Sequence, residues 1–381
     1  MKITVAIDSF KGSLTTLESG AAVSEAAFAV FDNPTVTVCP LADGGEGTVL
    51  AVTSALGGEI VALSVTGPLG TPVTAEYGYI KDRKLAVIEM SAAAGLPLLP
   101  TELRDPLNTT TYGVGELIAH AVRTLGCRNF LIGIGGSATN DGGTGMLSAL
   151  GYEFLDSDGQ PIPLGARGLS RLAEIRTDRV IPELSECEIS VACDVKNPLC
   201  GDLGCSAVFG PQKGATPDSV RDMDGWLASY AALTEKTLGR GDANYPGAGA
   251  AGGMGFALLA YLGARLEPGI ELVMRVTDLA SHLADADLVV TGEGRLDGQS
   301  CMGKAPVGVA LAAKKFGKTV VAFSGAATPD AHLVNDCGID AYFPIPQSPV
   351  SLAEAMDVKV AYENLKSTAM QVFRLIAATK K

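Results

Sequence analysis

Imidazole and indole are nearly absent from this chain: of 381 residues only three are His (His120, His282, His332) and one is Trp (Trp226). Catalysis built on histidine therefore has few places to start, and no HExxH zinc helix, GxSxG elbow, or HRD and DFG pair occurs. Charge is sparse and one-sided. Lys and Arg number 29 against 42 Asp and Glu, a net charge of −13, which argues against a nucleic-acid binder with its basic footprint. No apolar run is long enough for a bilayer, since the most apolar stretch, Met254 to Leu266, is short of the roughly 20 residues a span needs and is interrupted by glycine. The segment MKITVAIDSF lacks the apolar stretch of a secretory signal and reads as a first strand, so a cytoplasmic protein is expected. The eight cysteines include no CxxC pair. Four of them (Cys187, Cys193, Cys200, Cys205) crowd together, but structural zinc takes closely paired ligands, and buried reduced thiols are the expectation.

Glycine is in excess, 46 of 381 residues, against a usual share near ~7%. Backbone loops are the natural carriers of chemistry here. The apolar fraction of 47% supports large cores, and at roughly 100–200 residues per domain the length suggests two.

Both ends of the chain alternate short strands with amphipathic helices, the pattern of a parallel sheet covered by helices. Lys2 to Ile7 is a strand, and Thr15 with Glu18 spells a capping box for a helix reaching about Phe31. Thr35 to Cys39 is a second strand, followed by the turn Ala42-Asp-Gly-Gly-Glu-Gly47 and a helix ended by Gly57. Near the other end Asp287 to Thr291, Thr319 to Ser324 and Asp340 to Ile345 read as strands, with a helix from about Ala305 to Phe316. The middle differs: Glu59 to Thr66, Thr74 to Ile80 and Leu85 to Met90 are joined by tight turns and read as antiparallel. Strands at Asn129 to Ile134 and Glu188 to Val195 follow, then a helix with Thr216 as cap and Gly239 past its end. The expected fold is α/β with two domains. Residues 1–57 with 270–381 form a Rossmann- or flavodoxin-like parallel-sheet domain built from both termini, and residues 58–269 form an inserted mixed-sheet α/β domain.

Three glycine motifs invite a nucleotide reading, and two of them fail on context. Gly298 to Lys304 spells GxxxxGK, but Ala305 stands where a P-loop needs Ser or Thr for Mg²⁺. Gly247, Gly249 and Gly252 spell GxGxxG after a polar loop and not after a strand, so a dinucleotide site is a poor fit. The third is stronger. In residues 130–145 a clear strand runs into a loop of glycines, hydroxyls, Asn140 and Asp141, and then into a helix, which aims free N–H groups at an anion. Gly135, Gly136, Ser137, Asn140 and Asp141 are its candidate nucleotide-binding residues, with Asn140 or Asp141 placing a metal.

Carboxylates recur at strand ends: Asp8, Asp43, Asp194 and Glu293. Ligands of open α/β sheets bind at those carboxyl edges. Lys11, Arg104, Lys213, Arg295 and Lys304 supply nearby cations. Anion loops with carboxylates and a few lysines suit phosphoryl transfer, where positioning and charge stabilisation do most of the work. The turn Asp8-Ser9-Phe10-Lys11 puts an acid, a hydroxyl and a cation before a helix N-terminus, a small-anion clamp.

These stretches carry a resemblance that spans nearly the whole chain. Asp8-Ser-Phe-Lys-Gly-Ser-Leu14, Ala42-Asp-Gly-Gly-Glu-Gly-Thr48, Thr66-Gly-Pro-Leu-Gly70, Gly133-Ile-Gly-Gly-Ser-Ala-Thr-Asn-Asp-Gly-Gly143, Ala192-Cys-Asp-Val195, Asn197-Pro-Leu199, Phe209-Gly-Pro-Gln-Lys-Gly214, the run 246–255 and Thr291-Gly-Glu-Gly-Arg295 occur in order. The sequence resembles the bacterial glycerate kinases that phosphorylate the 2-position. Ile7, where many relatives have Pro, and Gly298, where Ser is more usual, depart from that pattern. The resemblance implies ATP, Mg²⁺ and D-glycerate, and a two-domain α/β fold with a cleft. Asp8, Lys11 and Asp194 are the expected catalytic residues, and Ser9, Asp43 and Glu46 the expected substrate-binding ones, with the metal ligands undefined. Asp194 is favoured over Asp8 as general base, because Asn197-Pro198 imposes a turn that holds it. Phosphorylation at the 3-hydroxyl and a non-catalytic two-lobed sugar-acid binding protein are the alternatives.

Overall fold

Every residue of Lys2–Ile7 after the first is buried, because this strand is covered on both faces. The structure, a computed structural model, describes residues 1–379. Strands follow the chain as β1 (Lys2–Ile7), β2 (Thr35–Val38), β3 (Glu59–Thr66), β4 (Pro72–Ile80), β5 (Leu85–Glu89), β6 (Asn129–Gly133) and β7 (Glu153–Leu155). After these come β8 (Glu174–Arg176), β9 (Glu188–Ala192), β10 (Arg265–Glu267), β11 (Leu288–Leu296), β12 (Thr319–Ala327) and β13 (Ala341–Pro344). The chain divides into two compact units, one of residues 1–43, 50–56 and 270–381, the other of residues 44–49 and 57–269.

The first unit holds a fully parallel sheet in the order β13-β12-β11-β1-β2. Ile3, Val5 and Ile7 share one face with Leu288, Val290, Val321 and Phe323, and that face receives the helices Thr16–Val30 and Val358–Thr379, which pack on each other. The helices Leu279–Asp285 and Ala305–Lys314 form a second packed pair against the sheet. The Thr15–Glu18 capping box is present: the Glu18 carboxylate accepts the Thr15 N–H at 2.8 Å and the Thr15 hydroxyl accepts the Glu18 N–H at 3.2 Å. From β1 the chain crosses to β2 on one side, whereas β11 lies on the other and leads outward to β12 and β13. Strand order therefore reverses between β1 and β11, the position at which open parallel sheets form a ligand crevice at their carboxyl edge.

The second unit is built on a mixed sheet, β10-β9-β6-β5-β4-β3, in which β3, β4 and β5 are antiparallel and β5, β6, β9 and β10 parallel. A small antiparallel pair, β7-β8, sits apart. Tyr77, Ile88, Ile132, Met146, Tyr230 and Phe256 belong to its core. The helix Pro217–Leu238 has Thr216 as its cap and Gly239 in the left-handed region at its end. The run 247–255 packs backbone against backbone. Ala251, Gly252 and Gly253 all have positive φ, and the Gly252 carbonyl accepts the Gly142 N–H at 2.9 Å. A Cβ at Gly252 would lie 2.1 Å from the Thr139 carbonyl oxygen, so glycine is there to let two backbones touch.

The α/β class and the parallel and mixed sheets agree with the sequence reading, while several boundaries shift. The strand placed at Glu188 to Val195 stops at Ala192, and the strand placed at Asp287 to Thr291 runs on to Leu296 through Gly292 and Gly294. Residues 44–49, expected with the outer domain, pack with the second unit: Val49 N–H donates to Glu89 at 2.8 Å, and Gly133 approaches the Gly44 carbonyl so closely that a Cβ there would be 2.2 Å away. Of the four crowded cysteines only Cys205 is buried; the other three are half-buried thiols. The helix Val358–Thr379 is an addition to the elements expected from the sequence, and Ala361, Leu365, Ala369, Val372 and Phe373 mark its buried face at helical spacing. Among the described residues no helix is long and apolar enough to cross a membrane. Phe373 is fully buried against Phe31, so Phe373→Ala should destabilise the first unit by about 3–5 kcal/mol. Urea unfolding followed by circular dichroism measures this, and a loss below about 1 kcal/mol would show that the helix adds little to that core.

Candidate active site

Parallel strands end their carboxyl termini on one edge, and in the first unit this edge collects Asp8 after β1, Asp43 after β2 and Glu293 within β11. The Asp8 N–H donates to the Gly292 carbonyl at 3.0 Å, continuing the β1–β11 ladder by one residue and setting Asp8 at the strand reversal. Beyond it the chain folds back: the Phe10 N–H donates to the Leu14 carbonyl at 2.8 Å and the Ser13 N–H to the Phe10 carbonyl at 2.7 Å, with Gly12 at a φ of 78°. Lys11 is carried at the tip of this turn, its Nζ 3.6 Å from Asp43 Oδ2.

A cavity of about 450 Å³ opens at this edge. Its polar wall carries Asp8, Lys11, Asp43, Glu293, Asp297 and Lys304. Phe10, Ile345, Pro346, Leu352, Ala355 and Met356 form an apolar wall, supplied by the start of β1's return loop and the segment after β13. Lys304 Nζ stands 3.3 Å from Asp297 and 4.0 Å from Glu293, and Ser300 donates its hydroxyl to Glu293 at 2.5 Å. The sequence offers Glu293 as a strand-end carboxylate and Lys304 as a phosphate ligand at a helix N-terminus, but gives no sign of Asp297, Ser300 or the apolar wall. A polar residue such as Ser300 carries no local signal, because only its hydrogen bond to Glu293 places it here.

Asp8 is the unusual group. It is 6% exposed, and burial first, then the Asp43 carboxylate, push its pKa from 3.8 to about 7, against the opposing pull of the Ser9 N–H and Lys11. Glu293 is likewise raised by burial, relieved in part by Ser300 and Lys304. A carboxyl that titrates near neutrality inside a cleft is suited to exchanging a proton with a ligand.

The second unit has its own collection at the carboxyl edge of its sheet. Glu89, at the end of β5, is buried enough for its pKa to rise, and it accepts backbone N–H groups from Gly47, Thr48 and Val49. Glu46 is exposed. Asp194 is exposed as well, with Oδ1 accepting the Gly269 N–H at 2.9 Å. In the loop after β6 only Gly135 and Gly136 are exposed. Asn140 and Asp141, expected to place a metal, are fully buried instead. The Asp141 carboxylate accepts from Thr111 N–H and hydroxyl and from the N–H groups of Gly143 and Gly145, and Asn140 donates to Ser206 at 2.8 Å. They hold the loop from within. Of the expected site residues, Asp8, Ser9, Lys11 and Asp43 thus meet in the cavity of the first unit, while Glu46, Asp194 and the loop 135–141 belong to the second.

The sequence matches the Glycerate kinase family over residues 3–377. The chain belongs to the glycerate kinase family. A glycerate kinase of Haemophilus influenzae is 48% identical over 377 residues, covering 99% of both chains, and a glycerate 2-kinase of Escherichia coli K12 is 47% identical over 379 residues, covering 100% of this chain and 98% of that one. A crystal structure of a candidate glycerate kinase 2 from Salmonella typhimurium LT2 is 46% identical and superposes with a TM-score of 0.92, covering 100% of this chain and 99% of the other. The protein is accordingly an ATP-dependent kinase of glycerate, and a non-catalytic binding role is set aside.

Asp8 has a measurable cost in the free enzyme. Its pKa is 3.8 in the unfolded chain and about 7 in the folded one, so between those values the folded state holds the extra proton, and stability falls as pH rises through that window. Above about 7 the penalty is complete. Asp8→Asn should raise the Tm by about 2–4 °C for each kcal/mol relieved, with a gain that grows from pH 5 to pH 8. A gain independent of pH in calorimetric scans would mean that the carboxyl is not under this strain.

Proposed function

We propose that this kinase phosphorylates D-glycerate at its 2-hydroxyl, using ATP as its Mg²⁺ complex and yielding 2-phosphoglycerate and ADP, and that it works in the cytoplasm, where ATP is available. The name of the E. coli relative, a glycerate 2-kinase at 47% identity, supports the 2-position. The observation that carries the reading is the cavity at the β1–β11 reversal, which joins an apolar wall to a cationic and acidic one. A nucleotide needs both. The adenine would lie against Ile345, Pro346 and Met356, and the phosphates toward Lys11 and Lys304. Mg²⁺ on a nucleotide takes one or two protein carboxylates beside phosphate oxygens, and Glu293 and Asp297, both near Lys304, offer such oxygens. Among the described residues no group of three or more His, Cys, Asp and Glu is gathered to hold a metal ion, so the metal is assigned to the nucleotide it arrives on.

Asp8 serves as the general base. It accepts the proton of the glycerate hydroxyl as the oxygen bonds to the γ-phosphorus and the bond from that phosphorus to ADP breaks. Lys11 offsets the negative charge on the transferring group. Asp8 stands on the cavity wall with Lys11, and a pKa of about 7 leaves it partly ionised near neutral pH and more basic than an ordinary carboxylate, so the role for which the sequence favours Asp194 is assigned to Asp8.

Activity should rise with pH through about 7 as Asp8 ionises, and Asp8→Asn should lower kcat by about a hundredfold and abolish that limb. Asp194→Asn is the comparison: if it, and not Asp8→Asn, removes the limb, the base is Asp194. Lys11→Met should lower kcat/KM by about a hundredfold, and a change below threefold would take Lys11 out of the site. Phosphorus NMR of the product distinguishes the hydroxyls, since a 3-phosphoglycerate signal would overturn the assignment to the 2-position.

A further inference from the structure

Lys213 is 1% exposed, yet among the described residues no carboxylate pairs with its ammonium. Its Nζ donates to the Ser137 hydroxyl oxygen at 2.8 Å and to the Thr139 carbonyl at 2.6 Å, both neutral. The titratable groups acting on it are the Cys205 thiol, which burial pushes up to about 11 and so keeps neutral, and Asp141, whose oxygens are already occupied by Thr111, Gly143 and Gly145. Burying an ammonium on neutral partners is costly, and perturbed buried charges of this kind cluster at functional sites.

Above it lies the exposed tip of the loop. Gly136 has a φ of 70°, the kind of bend that turns successive N–H groups to one side and makes an anion nest. The N–H groups of Gly135, Gly136 and Ser137 have no acceptor among the described residues, and the Ser137 hydroxyl, which accepts from Lys213, keeps its own hydrogen to give. These donors are fixed in place from below: the Gly136 carbonyl accepts the Leu96 N–H at 2.8 Å and the Ala138 N–H donates to Ala94 at 2.9 Å.

We propose that residues Gly135, Gly136 and Ser137 bind a small oxyanion, a carboxylate or a phosphoryl group, and that Lys213 is the positioning residue that supplies the compensating charge from beneath through the Ser137 hydroxyl. This rests on the reading that the ligands are glycerate and ATP, and it narrows the earlier expectation for this loop from five ligand-facing residues to three. Two oxyanions are at hand in the reaction, the glycerate carboxylate and the nucleotide phosphates.

Burial holds the Lys213 pKa down to about 8, so an anion seated above it should draw a proton onto it near that pH. Isothermal titration of the full chain with D-glycerate and, separately, with ADP, each in two buffers of different ionisation enthalpy, counts protons taken up. At pH 8 the ligand that occupies the loop should bring roughly half a proton more to the wild type than to Lys213→Met, and the difference should vanish at pH 6.5, where Lys213 is already charged. The same ligand should bind Lys213→Met at least about tenfold more weakly. Ser137→Ala keeps the ammonium and removes the relay, and should weaken that ligand about fivefold; it carries the test if Lys213→Met does not fold. Loss confined to glycerate identifies the carboxylate as the occupant, and loss confined to ADP identifies the phosphates. If folded Lys213→Met, or Ser137→Ala in its place, binds both ligands within threefold of wild type, the proposal is overturned. Binding is read without turnover, so wild-type activity toward glycerate tests the underlying reading separately.

Discussion

The hydrogen bond from the Asp8 N–H to the Gly292 carbonyl closes the ladder between two strands from opposite ends of the chain. Everything at the carboxyl edge of the first unit depends on it. It extends the β1–β11 pairing to the point where strand order reverses, so Asp8 and Glu293 emerge side by side, and the return loop of Asp8 brings Lys11 to Asp43. Parallel pairing is needed for this outcome, since only parallel strands deliver several loop starts to one edge.

Two charges out of water then define the chemistry of the two units. Asp8 is a carboxyl pressed by burial and by neighbouring carboxylates toward its neutral form, and Lys213 is an ammonium pressed by burial toward its own. Among the described residues neither is held in an ion pair that would make it a structural one. Each is instead supported by fixed backbone: the Ser9 N–H on Asp8, and the Thr139 carbonyl under Lys213. Asp141 is the instructive contrast. Fully buried, it too is pushed up by burial, but it is surrounded by donors from Thr111, Gly143 and Gly145 that oppose the shift, and it acts as a brace.

Glycine abundance has a physical cause in the second unit. Where Gly252 meets Thr139 and Gly133 meets Gly44, backbones approach within the space a methyl group would fill. Such contacts stack one loop on another and leave only a small tip open. The GxGxxG spelling at residues 247–252 is therefore a packing motif of this fold and not a dinucleotide loop, in keeping with the missing strand before it.

The sequence alone determined the α/β class, because alternation of period two and period 3.6 is a local property of neighbouring residues. The Thr15–Glu18 and Thr216 caps, the antiparallel run β3–β4–β5 and the family motifs were legible for the same reason: each is written within a few consecutive positions. The final helix carries its apolar spacing in consecutive residues too. Ser300 on Glu293, the apolar wall of the cavity and the neutral seat of Lys213 were beyond reach, since each joins residues far apart in the chain. The same holds for Asn140 and Asp141, whose composition promised ligand contacts while the fold turned their side chains inward. A carboxylate after a strand looks alike in sequence whether it braces a loop or faces a cleft; burial and the number of donors around it separate the two, and both are set only when distant segments pack.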